Sequence, residues 1–197
     1  MRTHQRTIIA HHVILHGYGH WLPNDPRGSG SDEVRNEALE ALGAIHHGRK
    51  PVQPPRGEVR EFYRRAEPKL EFPLLWFDAA KRQALGDSCR ELVRLRPYTV
   101  WAAAVMKNHV HLCVRRHRNT GAEIWRDFAE NLRTALLRFD DVPGEHRIWS
   151  NRPYAVFLYA PDDVRRVKKY IEENPAKSGL PAQSWAFVTP YDGWPHG

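Results

Sequence analysis

The chain has 197 residues, of which 41% are hydrophobic and 27% are charged, and its formal net charge is +7. A chain of this length forms one domain with a buried core, and no apolar run approaches the ~20 residues of a membrane span. The excess of Lys and Arg favours a polyanion partner such as nucleic acid, because these side chains replace the counterions around phosphates.

The two cysteines, Cys89 and Cys113, do not indicate a disulfide framework, and neither has a second cysteine at metal-ligand spacing. We expect them to be small buried thiols in a helix and a strand. The N-terminus leads into a β-type run rather than the apolar core of a signal peptide. These features favour the reducing cytoplasm.

The first part of the chain predicts one strand, a loop and an insertion. The strand covers Thr7 to Tyr18, and the loop that follows it over residues 20–31 is dense in Gly, Pro, Asn and Asp. Residues 32–75 form the insertion, which we expect to be a peripheral arm with a basic helix from Glu58 to Ala66. An earlier short helix in the arm, capped by Asp32, would carry Val34, Leu39, Leu42 and Ile45.

The second part predicts three helices and three strands. In chain order these are a helix over 78–95, strands over 98–106 and 109–115, a helix over 120–139 capped by Thr120, a strand over 148–159, and a helix over 164–173 closed by Pro175. The order of elements predicts an α+β fold, a ferredoxin-like or RRM-like sandwich in which helices pack on a mostly antiparallel sheet. The whole of 1–197 is then a single domain with the insertion at 32–75 and a short C-terminal tail at 188–197.

Two histidines lie two residues apart in the predicted strand over 109–115. Because side chains alternate along a strand, His109, His111 and Cys113 face one way, onto what we expect to be the open face of the sheet. Two neutral imidazoles there can ligate a divalent metal. The alternative is a pair of polar residues on the wet side of a sheet, since 12 histidines produce about one such pair by chance. The opposite face takes the apolar side chains of Val110, Leu112 and Val114.

The last predicted helix carries a tyrosine and a carboxamide one turn apart. Tyr170 and Asn174 share a flank beside the buried stripe, so a helix lying along the sheet aims both at the histidines. A free phenol is a poor nucleophile at neutral pH, but a divalent cation polarises a phosphate and stabilises the charge that develops during attack. The Asn174 oxygen suits a hard cation such as Mg²⁺; the alternative role for Asn174 is a C-terminal helix cap. The stripe itself is formed by Val164, Val167 and Ile171.

Four segments of the chain resemble a known family. The run 108–112 resembles the HUH motif (histidine, hydrophobic residue, histidine) of single-tyrosine transposases of the insertion-sequence-200/605 type. The run 170–180 is similar to the tyrosine helix of their REP-associated branch, in which a Tyr-Ile-x-x-Asn-Pro-x-x-Ala-Gly-Leu pattern recurs. The run 148–154 resembles the aromatic segment before that helix, and 21–29 resembles a loop of one subgroup. Together the resemblance covers roughly 7–30 and 76–187.

The resemblance implies a transposase that acts on single-stranded or hairpin DNA. Tyr170 would be the nucleophile, forming a 5′-phosphotyrosine link and a free 3′-hydroxyl. His109, His111 and Asn174 would be the ligands of Mg²⁺ or Mn²⁺. The protein would be a monomer or a homodimer. The chain departs from the pattern at Ser178, which replaces the usual Ala, and in the length of its insertion.

Three functions remain open from the sequence. The first is this endonuclease and strand transferase. The second is a domesticated protein that binds hairpin or single-stranded DNA without cutting it, and the third is a zinc hydrolase built on the histidines. The role of the basic residues before Tyr170 is also open between a solvated helix face and a contact with the DNA backbone; they are Arg165, Arg166, Lys168 and Lys169.

Overall fold

The computed structural model describes residues 7–29, 37–46, 48–150 and 153–195. Contacts divide the chain into two compact units. The first unit comprises the chain up to Leu15, Phe77–Gly144 and the chain from Pro153 onward. The second unit comprises His16–Trp76 and Glu145–Arg152. In chain order the elements are β1 (Ala10–His16), α1 (Glu37–Glu40), α2 (Arg56–Ala66), a 3₁₀ turn (Glu67–Lys69), α3 (Ala79–Leu95), β2 (Val100–Val105), β3 (His109–Arg115), α4 (Gly121–Leu136), β4 (Tyr154–Leu158) and α5 (Pro161–Lys177).

The first unit contains a four-stranded antiparallel sheet in the order β2-β3-β1-β4. Strands β2 and β3 form the expected hairpin, and β1 pairs with β4. With α3 between β1 and β2 and α4 between β3 and β4, this is the β-α-β-β-α-β order of a ferredoxin-like sandwich. The predicted fold class is therefore confirmed.

Helices cover both faces of this sheet. On one side α3 contacts α4 and β2, and α4 contacts β4. On the other side α5 packs its buried Val164 and Ile171 into a core that includes Ala102, Ala104 and Cys113. Cys113 lies on the histidine side of β3, so the prediction that this side is open was wrong where α5 crosses it. The reason is the apolar stripe of α5, which must be buried and finds small side chains on β2.

The ends of the long helices follow their local sequence. Thr120 and Glu123 form the capping box that starts α4, and the Asp78 carboxylate accepts a hydrogen bond from the backbone N–H of Lys81 at the start of α3. At the start of α5 the Asp163 carboxylate accepts from the backbone N–H of Ala160. The starts of α3 and α4 agree with the sequence, whereas α5 begins at Pro161, three residues before the predicted start at Val164, and its N-cap is Ala160 rather than Asp162 or Asp163.

The end of α5 differs from the prediction that Pro175 closes it. The helix continues through the buried Pro175 to Lys177. Its end is a Schellman motif: Gly179 adopts φ +67°, its N–H bonds to the Ala176 carbonyl, and the N–H of Leu180 bonds to the Pro175 carbonyl. The signal that ends this helix is therefore the glycine, because only a residue tolerant of positive φ completes the motif.

The second unit has its own apolar core. Leu22, Leu39, Leu42, Phe62 and Ala66 are buried together. The loop that precedes these helices is fixed by an ion pair of 2.7 Å between Arg27 and Asp25. Asp32 and Val34, expected to start the first helix of the insertion, lie outside the described residues. That helix ends at Glu40 and does not reach Ile45, because Gly43 adopts φ +125°.

Two further sequence expectations can be compared with the structure. The strand predicted over 148–159 is regular only in β4; Trp149 makes a single bridge to Gly17, and residues 151–152 lie outside the described part. Cys89 and Cys113 are both buried free thiols, as expected. Within the described residues, no helix is long and apolar enough to cross a membrane.

Two helical glycines provide a test of how closely Trp185 packs against α3. Gly86 lies in α3, and a Cβ added to it would overlap the Trp185 indole. We expect Gly86→Ala to lower the free energy of unfolding by about 1–3 kcal/mol, despite the better helix propensity of Ala, because the ring must shift. Gly57 in α2 has open space around it, so Gly57→Ala is the control and should be neutral or stabilising by up to ~1 kcal/mol. Urea denaturation measures both, and a Gly86→Ala protein as stable as the wild type would contradict the packing.

Candidate active site

Strand β3 and helix α5 bring the predicted histidines and tyrosine together. The rings of His109 and His111 lie with their centroids 4.6 Å apart, and the Tyr170 ring lies 5.6 Å from that of His111, nearly perpendicular to it. The histidines share a strand face because they are two residues apart. Tyr170 reaches them because the neighbouring Ile171 is fully buried beneath α5.

His12 is a member of this cluster that the sequence analysis missed. It lies on β1, and its Nε2 is 3.0 Å from Nδ1 of His111. Its ring also meets the Tyr170 ring edge-on at 6.1 Å. Burial lowers the pKa of His12 to about 4, so its imidazole is neutral at physiological pH. Strand alternation places His12 on one face of β1, but only the pairing of β1 beside β3 reveals that this is the face of His111.

A hydrogen bond to Asn108 determines which nitrogen of His109 carries a proton. The Asn108 Oδ1 lies 2.7 Å from Nδ1 of His109. A carboxamide oxygen only accepts hydrogen bonds, so Nδ1 of His109 is the donor. In a neutral imidazole the remaining nitrogen, Nε2, then has the lone pair that a metal requires. The donor chemistry at His109 therefore fits a metal ligand.

The phenol and the carboxamide lie on accessible parts of α5. The Tyr170 side chain is 42% exposed, which leaves room for a substrate beside the buried His111. Asn174 is half-buried, one turn further along the helix. The alternative prediction, that Asn174 caps the helix, was wrong, because α5 continues past Asn174 and the cap residue is Ser178.

Among the described residues, no group of three or more His, Cys, Asp and Glu side chains is placed to hold a metal. His109 and His111 on β3 are the two nitrogen donors that the sequence predicts for a metal. Asn174, the predicted oxygen donor, lies one helical turn after Tyr170 on α5.

The basic residues before Tyr170 are paired within their own helix. Each one lies near a carboxylate three or four positions away, which is typical of a solvated helix face. The pairs, measured between nitrogen and oxygen, are Arg165–Asp162 (2.6 Å), Arg166–Asp163 (2.6 Å), Lys168–Glu172 (2.5 Å) and Lys169–Glu173 (3.8 Å).

Part of the histidine face extends onto the edge strand β4 and is exposed there. Val156 is the cross-strand partner of His12, and Tyr154 is the partner of Ile14. Tyr154 is 45% exposed and Val156 is 40% exposed. An accessible aromatic and aliphatic strip therefore lies on the same face as the histidine cluster.

Comparisons with known proteins provide a solved structure to set beside this site. No protein-family model matches the chain, and a search of curated proteins finds no match. Among solved structures the chain is similar to a REP-associated tyrosine transposase bound to a REP hairpin, with 15% identity over 95% of this chain and 81% of that one and a TM-score of 0.47. At this level of similarity the function has to be argued from the geometry of the site.

Proposed function

We propose that this protein is a DNA endonuclease and strand transferase of the tyrosine-transposase kind, acting on single-stranded or hairpin DNA. The observation that carries the proposal is the exposed phenol of Tyr170 in ring contact with the buried His111, beside His109. A protein that only binds DNA has no need for a phenol held against two imidazoles.

The reaction begins with the phenolic oxygen of Tyr170. It attacks the phosphorus of a phosphodiester and the bond from phosphorus to the 3′-oxygen breaks. The phosphate, still attached to the 5′-oxygen of the downstream fragment, becomes linked to Tyr170. The phenol loses its proton to water, and the departing oxygen gains one to become a 3′-hydroxyl. Attack by a 3′-hydroxyl of another strand on the phosphotyrosine reverses the sequence and joins the strands.

His109, His111 and Asn174 would hold Mg²⁺ or Mn²⁺ in this site. When bound, the cation would neutralise negative charge on the phosphate and stabilise the charge that develops during attack. The protein residues contribute orientation: α5 places the phenol beside the imidazoles, and Asn108 keeps the Nε2 lone pair of His109 available.

The surface around the site suits unpaired nucleotides. The net charge of +7 favours a phosphate backbone. Tyr154 offers an accessible ring on which an unpaired base can stack, whereas the bases of a plain duplex are already stacked on one another. The charge supports a nucleic-acid substrate, and the exposed ring supports one with unpaired bases, such as single-stranded or hairpin DNA.

The first prediction concerns the nucleophile. Tyr170→Phe removes only the phenolic oxygen, so folding and DNA binding should persist while cleavage of a labelled single strand falls to background. The covalent protein–DNA adduct should also disappear from denaturing gels. Tyr159→Phe is the control, since Tyr159 is 39% exposed in the same unit and should retain cleavage. If Tyr170→Phe still cuts DNA, water is the attacking group and the tyrosine mechanism is wrong.

The second prediction concerns Asn174 as an oxygen ligand. Asn174→Ala should lose Mg²⁺-dependent cleavage by about 10-fold or more, because one ligand is missing. Asn174→Asp should retain activity, because a carboxylate also presents an oxygen to a hard cation. Cleavage rates measured across a Mg²⁺ titration separate the two variants. Equal rates for Asn174→Ala and wild type at every Mg²⁺ concentration would remove Asn174 from the site.

The third prediction concerns the DNA partner. Fluorescence anisotropy should show tighter binding to single-stranded or hairpin DNA than to a plain duplex of the same length. Affinity should fall steeply with salt, with a slope of about −0.7 in log–log form for each phosphate contacted on a single strand. Tyr154→Ala should weaken single-strand binding by about 1–3 kcal/mol through lost stacking. Equal affinity for the duplex, or no response to salt, would contradict this partner.

A further inference from the structure

The hydrogen bond between His12 and His111 joins two side chains that can each donate or accept. Nε2 of His12 and Nδ1 of His111 are 3.0 Å apart, and both rings are buried. A neutral imidazole has one N–H and one lone pair, so one of these two nitrogens donates and the other accepts. The direction of this one hydrogen bond therefore sets the tautomers of both rings.

The two directions have opposite consequences for His111. If Nδ1 of His111 donates, its Nε2 is the unprotonated nitrogen, whose lone pair can ligate a metal. If Nδ1 accepts instead, Nε2 carries the proton and neither ring nitrogen of His111 is available. The proposed metal site, on which this inference rests, requires the first direction.

The neighbouring His109 has the same arrangement, but its partner atom is a carboxamide oxygen, which can only accept a hydrogen bond. Asn108 accepts from Nδ1 of His109 and thereby leaves the lone pair on Nε2. His12 stands in the same relation to His111, at the same ring nitrogen. At both candidate histidine ligands, a side chain is thus bonded to Nδ1.

We propose that His12 is a positioning residue that accepts a hydrogen bond from Nδ1 of His111, fixing His111 as the tautomer whose Nε2 binds the divalent cation. His12 acts on the metal only through His111. It also limits rotation of the His111 ring, since the bond holds that ring in one orientation under the Tyr170 phenol.

Two substitutions separate the hydrogen bond from packing. His12→Phe keeps a ring in the space but has no acceptor, and His12→Gln retains an acceptor at a similar reach. His11→Gln is the control, because His11 lies next in sequence on the opposite face of β1, where its ring contacts Phe157. Circular dichroism and an amide correlation spectrum establish that each variant is folded.

The first readout is the tautomer of His111 in the metal-free protein. Long-range ¹H–¹⁵N spectra of histidine-labelled protein should show His111 protonated at Nδ1 in the wild type and in His12→Gln. His12→Phe should lose this preference. A wild-type His111 protonated at Nε2 would overturn the proposal without any variant, so the test stands even if His12→Phe fails to fold.

The second readout is the affinity for Mn²⁺ alone, measured by electron paramagnetic resonance without DNA. We expect His12→Phe to weaken binding by about 10- to 100-fold, with His12→Gln and His11→Gln within a few-fold of wild type. Wild-type affinity in a folded His12→Phe would refute the positioning role. A wild-type protein that binds no Mn²⁺ refutes the metal site of the proposed function and, with it, the ligand role that His12 is proposed to support. If only the positioning role fails, the wild-type protein still binds Mn²⁺, and this result distinguishes the two failures.

Discussion

The packing of α5 on the histidine side of the sheet is the contact on which the candidate site depends. Val164 and Ile171 are fully buried there against the small side chains of Ala102 and Ala104. Small residues on β2 let the helix approach closely, and the buried stripe fixes the rotation of the helix about its axis. Because Tyr170 precedes Ile171, that rotation also fixes where the phenol lies.

The same packing divides the sheet face into two parts with different chemistry. Under α5 the face is buried, and a direct hydrogen bond joins His111 and His12 there. Beyond α5, toward β4, the face is accessible and carries Tyr154 and Val156. Under the proposed function, the buried His111 and His12 would stay fixed while the accessible surface beside them admits a flexible strand of DNA.

Much of this arrangement could be predicted from local sequence. The alternation of His109 and His111, the spacing of Tyr170 and Asn174, and the cap at Thr120 each depend on a few neighbouring residues, and the fold class follows from the order of elements. The end of α5 was harder to predict, because Pro175 suggests that the helix stops there. The helix instead ends in the Schellman motif at Gly179.

What could not be predicted depends on contacts between distant parts of the chain. The role of His12 requires knowing that β1 lies beside β3, which no local pattern gives. To predict that the histidine face is covered, one must know on which side of the sheet α5 packs. The insertion was expected to be a peripheral arm. Its Leu39 and Phe62 form a core of the second unit with Leu22 of the preceding loop, because residues far apart in sequence meet there.

The most direct test of the tyrosine mechanism is to find the attached nucleotide. Trypsin cuts after Lys169 and Lys177 and releases the eight residues 170–177, which contain Tyr170 and no other tyrosine. After incubation with single-stranded DNA and Mn²⁺, followed by nuclease and trypsin digestion, mass spectrometry should find this peptide carrying a nucleotide linked through phosphate to Tyr170. Cleaved DNA with only unmodified peptide, or with the nucleotide on another residue, would contradict the account.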